Sequence, residues 1–483
     1  MSQKITNLEP KAVWKIFYEL TQIPRPSKKE GKAVQFVRKF GEQLGLKTHV
    51  DSVGNVIIKK PATSGMETHK GVILQSHLDM VPQKNSDTSH DFEKDPIDAY
   101  IDGDWVKAKG TTLGSDNGIG VAAILAILES GSLEHGPLEA LFTVDEETGM
   151  TGAFNLKPGL LDGDILLNLD SEDEGELYIG CAGGVNTTGK LTFSKEPVPS
   201  GSRAYNLSLT GLKGGHSGLD IHLGRGNSNK LLNRFMYHAG KHYELRLASI
   251  DGGSLRNAIP RESFAMVTVP SIHESDFLNA IDEYLDILRL EIGAVDTNLK
   301  FIAIPTEIPD HLINRDTQER LFKAVYGIPN GVIRMSYDMP GVVETSTNLA
   351  IIKSDNQNIE ILCLLRSSVD SAKEDLASAI QSVLELAGAE VVHDGSYPGW
   401  KPDVNSPVLH TMKTVYHKMY GKEPEVKVIH AGLECGIIGD VYKGMDMISF
   451  GPTIRFPHSP DEKVHVGSVG KFWEFLIETL KNI

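Results

Sequence analysis

The residues of this 483-residue chain best suited to chemistry are histidines and acids that follow short apolar runs. The first run, residues 71–79 (GVILQSHLD), ends in His77 and Asp79. Residues two apart on a strand share a face, so the imidazole and the carboxylate would stand side by side. A carboxylate beside an imidazole fixes its tautomer and raises its basicity, which suits a metal ligand; a plain His–Asp pair closing a strand is the alternative. Residues 138–144 (LEALFTV) form a second run, followed by Asp145, Glu146 and Glu147. Adjacent acids usually mark a solvated turn, but at the end of a buried strand their desolvation is costly unless a cation neutralises them. A third run, 165–170 (ILLNLD), ends in Asp170. Asp116 lies in a glycine-punctuated loop ahead of an apolar helix expected from Val121. It reads as a helix cap or turn residue, or as a carboxylate aimed at a cation. His458, in a proline-restricted loop after the run 445–450, reads as a solvated loop residue or as one more member of the group. Ligands in open α/β sheets bind beyond the carboxyl ends of the strands, so three runs ending in such groups point to one shared site.

The elements around these runs follow from periodicity. Residues 11–21 and 27–44 read as helices, the second opened by a capping box, Ser27-Lys-Lys-Glu30, and closed by Gly45. A strand is expected near 55–59. From 204 to about 396 the order is strand, helix, strand, strand, helix, and then the same again. The first pass takes 205–209, 228–242, 244–250, 263–269 and 276–292; the second takes 301–304, 316–326, 348–354, 359–365 and 372–387. Such passes suit α+β units with helices on one face of an antiparallel sheet. The first style returns after Asp403, with a helix at 406–420, strands at 426–429 and 445–450, and a last helix at 468–480. The expected organisation is therefore a discontinuous α/β domain, 1–186 with 402–483, interrupted by a two-part α+β insert at 187–401.

Composition narrows the function. With 48 basic against 64 acidic residues the net charge is −16, which disfavours nucleic-acid and anionic-membrane partners. Three cysteines, Cys181, Cys363 and Cys435, are too few and too scattered for a disulfide framework or a thiolate zinc knot. They read as reduced thiols of a cytoplasmic protein. The first residues lack a signal-peptide core, and no run approaches the ~18 apolar residues of a membrane span.

Taken together, Ser76-His77-Leu78-Asp79, Gly114-Ser115-Asp116-Asn117-Gly118, Asp145-Glu146-Glu147, Asp170 and His458 resemble, in order and spacing, the M20 family of co-catalytic metallopeptidases. The stretches GGHSG (214–218), NAIP (257–260), HAGLECG (430–436) and FPHSPDE (456–462) are similar to the branch of that family acting on aminoacyl-histidine dipeptides. The resemblance implies a Zn-peptidase-like catalytic domain with a mixed sheet flanked by helices, and an inserted lid. It implies that His77 and Asp170 bind one metal, Glu147 and His458 the other, and that Asp116 bridges them. Asp79 would orient His77, and Glu146 would be the general base. Five N and O ligands without a thiolate suit two Zn²⁺ ions, with Mn²⁺ or Co²⁺ as substitutes. Many members carry a second aspartate where this chain has Asn117.

The implied reaction is hydrolysis of a dipeptide, of Xaa-His type such as β-alanyl-histidine. His216 would donate to the tetrahedral oxyanion. Asn257, Arg366 and Glu434 would hold the substrate, Glu434 at its amino end. Arg366 follows an apolar strand, where a guanidinium is costly without a partner; a substrate carboxylate would serve, and so would a structural salt bridge. A doubled lid would supply His216 within one chain, so each active site would be self-contained, and a homodimer is compatible with that. Two rivals stand beside this reading. An M20 amidohydrolase acting on N-acyl amino acids would use the same metals. A non-catalytic protein of the same fold would have lost a ligand or the base, and no such group is missing here.

Overall fold

The computed structural model describes residues 2–483, which form two compact units. One comprises the chain up to Gly180, Pro402–Val428 and Leu433–Ile483; the other comprises Cys181–Lys401 and Ile429–Gly432.

The first unit is built on an eight-stranded mixed sheet. Its order is Lys47–Val50, Val56–Lys60, Leu138–Thr143, Val72–His77, Ile165–Asn168, Asp446–Ser449, Glu176–Cys181 and Glu425–Ile429. The four central strands, from Leu138–Thr143 to Asp446–Ser449, run parallel. Every residue of Val72–His77, Leu138–Thr143 and Ile165–Asn168 is buried, as expected of parallel strands covered on both faces. Their carboxyl ends deliver His77, the Asp145–Glu147 turn and Asp170 to one edge.

The helix behind them begins at Ser115, earlier than the apolar run suggested. Asp116 and Asn117 keep non-helical backbone angles inside it, joined by a cis peptide bond. From Asn117 to Leu128 the helix is buried all round, because its sequence has no polar face to turn to water. The expected capping box is not formed. Lys28 has φ 68°, the helix starts only at Gly31, and Glu30 instead accepts the N–H groups of Lys28 and Asp145 at 2.7 and 3.1 Å. A four-stranded antiparallel sheet completes the unit, in the order Ile454–Arg455, Lys463–His465, Trp105–Ala108, Ala99–Asp102. The loop carrying His458 is the hairpin between its first two strands.

The second unit holds a nine-stranded antiparallel sheet. Its path runs Lys300–Thr306, Ser202–Thr210, Ser263–Pro270, Arg246–Gly252, Val343–Ser354, Asn358–Ser367, Gly183–Thr192, Glu390–Tyr397, and Gly331–Met335 pairs with Val343–Ser354. Helices Ser228–His242, Glu274–Ile292, Arg315–Gly327 and Asp370–Leu386 bury their apolar faces in one common core. The two passes read from the sequence meet through a short pairing, Asp251↔Lys353 and Gly252↔Ile352. Lys300–Thr306, which opens the second pass in chain order, lies instead at the edge of the first, beside Ser202–Thr210.

Candidate metal centre

His77 ends its strand with its side chain 1% exposed; its Nε2 lies 3.1 Å from Asp116 Oδ1 and 3.3 Å from Asp170 Oδ1. Its Nδ1 lies 3.3 Å from Asp79 Oδ1. His458, half-exposed, places Nε2 3.2 Å from Asp116 Oδ2 and 2.9 Å from Glu147 Oε2. Asp116 thus offers one oxygen to each imidazole. Two triads result, His77–Asp116–Asp170 and Asp116–Glu147–His458, each with ligand atoms within 4.8 Å of one another. Glu146 joins His77 and Glu147 in a third group. All five residues predicted as ligands are therefore brought together, with Asp79 and Glu146 beside them.

Electrostatics match this crowding. Burial disfavours a charged His77, but Asp170, Asp116 and Asp79 outweigh it and hold its pKa well above the ordinary histidine value. Hydrogen bonds to Asp116 and Glu147 push His458 up to about 11, against burial. Burial raises Asp170 to about 6 although His77 opposes it, and raises Glu146 well above the ordinary carboxylate range, with His77 again opposing. Asp116 lies below its usual range despite burial, because both histidines donate to it. Glu147 Oε1 is buried with no hydrogen-bond partner. An unpartnered buried carboxylate oxygen among imidazoles and acids is the donor set that divalent cations of the Zn²⁺, Mn²⁺ and Co²⁺ type take.

A fourth group, Glu30, Asp79 and Asp145, is buried just behind, and its oxygens are engaged. Asp79 accepts the N–H groups of Glu146 and Glu147 at 3.0 and 3.2 Å and the Ser27 hydroxyl at 2.8 Å. Asp145 accepts the hydroxyls of Thr148 and Thr151. These acids hold the turn in which Asp145 itself has φ 53°. Asn117, the departure from the family pattern, donates Nδ2 to Leu169 O at 2.8 Å and to Asp170. An aspartate there would lose both of these donor bonds and set a second carboxylate beside Asp170.

Glu434 is fully buried at the start of helix Glu434–Val441. Its Oε2 accepts Gln75 Nε2 and Thr143 Oγ1, both at 2.6 Å, while Oε1 is buried without a partner. Burial carries its pKa up to about 7. Glu172 escaped the sequence reading because it sits in an acidic run, Glu172-Asp173-Glu174, that looks solvated. Burial, then Asp116 and Asp170, push it up to about 8.

The other predicted residues lie in the second unit and gather there. His216 belongs to a short strand, Gly215–His216, paired with Ala258–Ile259. Its Nδ1 accepts the N–H groups of Gly218 and Leu219, both at 3.1 Å. The ring proton is therefore on Nε2, which leaves that atom as a donor. Burial and then Arg366 lower its pKa, so it is neutral at pH 7. Asn257 is exposed, and its carbonyl accepts Ser217 N at 2.8 Å, which ties the 214–218 and 257–260 stretches together. Arg366 is only 5% exposed. Its partners are hydroxyls and not acids: Tyr397 at 3.0 Å and Ser217 at 3.5 Å.

A parallel-centred sheet with two histidine–carboxylate triads sharing one aspartate defines a metallohydrolase. Residues 73–482 match Peptidase family M20/M25/M40, and the chain belongs to that family. It is 47% identical over 480 residues to the cytosol non-specific dipeptidase of Escherichia coli (strain K12), covering 99% of each chain. The crystal structure of aminoacylhistidine dipeptidase from Vibrio alginolyticus superposes with a TM-score of 0.96 at 48% identity, covering 100% of this chain and 99% of that one. Aminopeptidase PepT from Bacillus cereus ATCC 10987, with a TM-score of 0.62 and 17% identity over 98% of this chain and 99% of that one, shares the fold.

Proposed function

We propose that the protein is a di-metal dipeptidase that cleaves Xaa-His dipeptides such as β-alanyl-histidine. The observation that carries this reading is Asp116, whose two oxygens face His77 and His458 at 3.1 and 3.2 Å. His77 and Asp170 would hold one cation and Glu147 and His458 the other, with Asp116 common to both. Zn²⁺ suits this donor set best, and Mn²⁺ or Co²⁺ can replace it. When bound, such a pair supplies Lewis acidity at the scissile carbonyl and lowers the pKa of water.

The chain's own groups do the rest. Asp79 fixes the His77 tautomer. Glu146 would take a proton from the attacking water and pass it to the leaving amine. His216 would be the donor to the oxyanion, through Nε2–H. Arg366, buried with hydroxyl partners only, binds the substrate carboxylate with Asn257, and Glu434 faces the amino end. The cytosol is the proposed location, in keeping with the name of the Escherichia coli relative. Among the described residues, no helix is long and apolar enough to cross a membrane.

The test is an assay of β-alanyl-histidine and other aminoacyl-histidine dipeptides beside N-acetyl amino acids, after reconstitution with metal. Turnover of the dipeptides with about two tightly bound ions per chain is expected. Turnover of the acetyl compounds alone would replace this reading by the amidohydrolase one, and less than one tightly bound ion per chain would overturn both.

A further inference from the structure

The stretch Leu113–Asp116 presents four successive N–H groups to a single carboxylate. Glu462, 2% exposed, accepts Leu113 N at 2.8 Å and Gly114 N at 3.0 Å on Oε2. On Oε1 it accepts Ser115 N at 2.7 Å, Ser115 Oγ at 2.6 Å and Asp116 N at 3.3 Å. Successive N–H groups in such a turn form a concavity that favours an anion. The same stretch is gripped from its carbonyl side. Arg25, 3% exposed, donates to the carbonyls of Leu78 and Asp79, both at 2.9 Å, and to that of Gly114. Gly114 has φ +71°, and a Cβ there would meet Arg25 Nη2 at 2.7 Å and Met80 Sδ at 2.8 Å. Only glycine lets the guanidinium come this close.

Glu462 belongs to the same hairpin loop as His458, between Ile454–Arg455 and Lys463–His465. One side chain therefore pins the loop that carries His458 onto the main chain that carries Asp116. We infer that Glu462 is the positioning residue of the second metal site, holding Asp116 and His458 in the register that the second cation needs. The first site shares Asp116, but its other ligands, His77 and Asp170, are not touched by Glu462, whereas the second site depends on both Asp116 and His458. Loss of Glu462 thus weakens the two sites unequally, a result that general destabilisation would not produce.

This inference rests on the proposed di-metal reading, and one titration separates the two. Metal-free protein is titrated with Co²⁺, followed by visible absorption and calorimetry. The unaltered chain should take up two equivalents; uptake of fewer than two overturns the di-metal reading itself. In Glu462→Gln an amide NH₂ opposes the loop N–H groups. The second equivalent should weaken by roughly 10–100-fold while the first stays within about threefold, as for removal of a group supporting a metal ligand. A folded Glu462→Gln that binds both equivalents as before, or loses both equally, overturns the inference. Ser115→Ala removes one hydroxyl donor and leaves the main chain in place, and should weaken the second equivalent selectively but less. If Glu462→Gln does not fold, Ser115→Ala decides: an unchanged second equivalent overturns the inference.

Discussion

Asp79 serves more than His77. It also receives the N–H groups of Glu146 and Glu147, so one carboxylate lies beside an imidazole and fixes the main chain of the proposed base. Burial works against its charge, yet His77 and these donors hold its pKa down to about 2. With the backbone held in this way, Glu146→Gln should change little but the proton transfer. Turnover is expected to fall roughly 10²–10⁴-fold with metal content unchanged, as measured by steady-state kinetics beside elemental analysis; loss of both metals would reassign Glu146 as a structural acid. His216→Ala should lower kcat by roughly 10²–10³-fold, with a smaller effect on KM, because the proposed donor would act on charge that develops during the reaction. An equal rise in KM with kcat intact would make it a substrate-binding residue instead. The meeting of His77, Asp116, Glu147, Asp170 and His458 was legible because each is a chemistry-bearing type placed at the end of an apolar run or in a restricted loop. Glu30, Arg25 and Glu462 were not, because they act on main-chain groups. Nothing in the side chains of Leu113 or Gly114 announces that their N–H groups await a carboxylate almost 350 positions away.

At the scale of the elements, the four parallel strands are laced together just below the ligands. Gln75 Nε2 donates to Thr143 Oγ1 at 3.1 Å, Asn168 Nδ2 to Gln75 Oε1, and Ser449 Oγ to Asn168 Oδ1 at 2.5 Å; Ser449 in turn meets Ser171 Oγ at 2.7 Å. Each strand contributes a buried polar group within a few residues of its carboxyl end, and each group is satisfied by its neighbour. Asn168→Leu breaks two of these bonds and strands their partners. It should cost about 1–3 kcal/mol in urea unfolding with an unchanged m-value; a loss below about 0.5 kcal/mol would mean that water replaces the side chain. Periodicity located most helices but passed over strands such as Lys47–Val50, Ala99–Asp102, Trp105–Ala108, Glu176–Cys181 and Glu390–Tyr397. It missed Gly183–Thr192 (GGVNTTGKLT), whose glycines and threonines dilute the apolar alternation that marks a strand. It also placed the helix behind the site too late, since the polar side chains of Ser115 and Asn117 are buried only by the tertiary structure.

At the scale of the whole molecule, the second unit contains a histidine that the fold keeps neutral. His430 is 7% exposed and meets Ser346 Oγ through Nε2 at 2.7 Å. Burial, then Arg366, His216 and His222, lower its pKa to about 3. The unfolded chain protonates this histidine near pH 6.5. Its contribution to stability is therefore complete above that pH and is lost as pH falls from about 6.5 towards 3. Thermal midpoints of the unaltered chain should drop more steeply between about pH 7 and 5 than those of His430→Asn; parallel curves would show that His430 does not titrate in this window.

Strand order also bears on how the chain is made. Asp446–Ser449 lies between Ile165–Asn168 and Glu176–Cys181, so the middle of the sheet is filled by a segment made only after the whole of Cys181–Lys401. Until then Ile165–Asn168 presents an open, apolar edge of the kind that invites aggregation. A nascent chain thus has no finished hydrolytic centre until Cys181–Lys401 has been made and the chain has returned to the first unit.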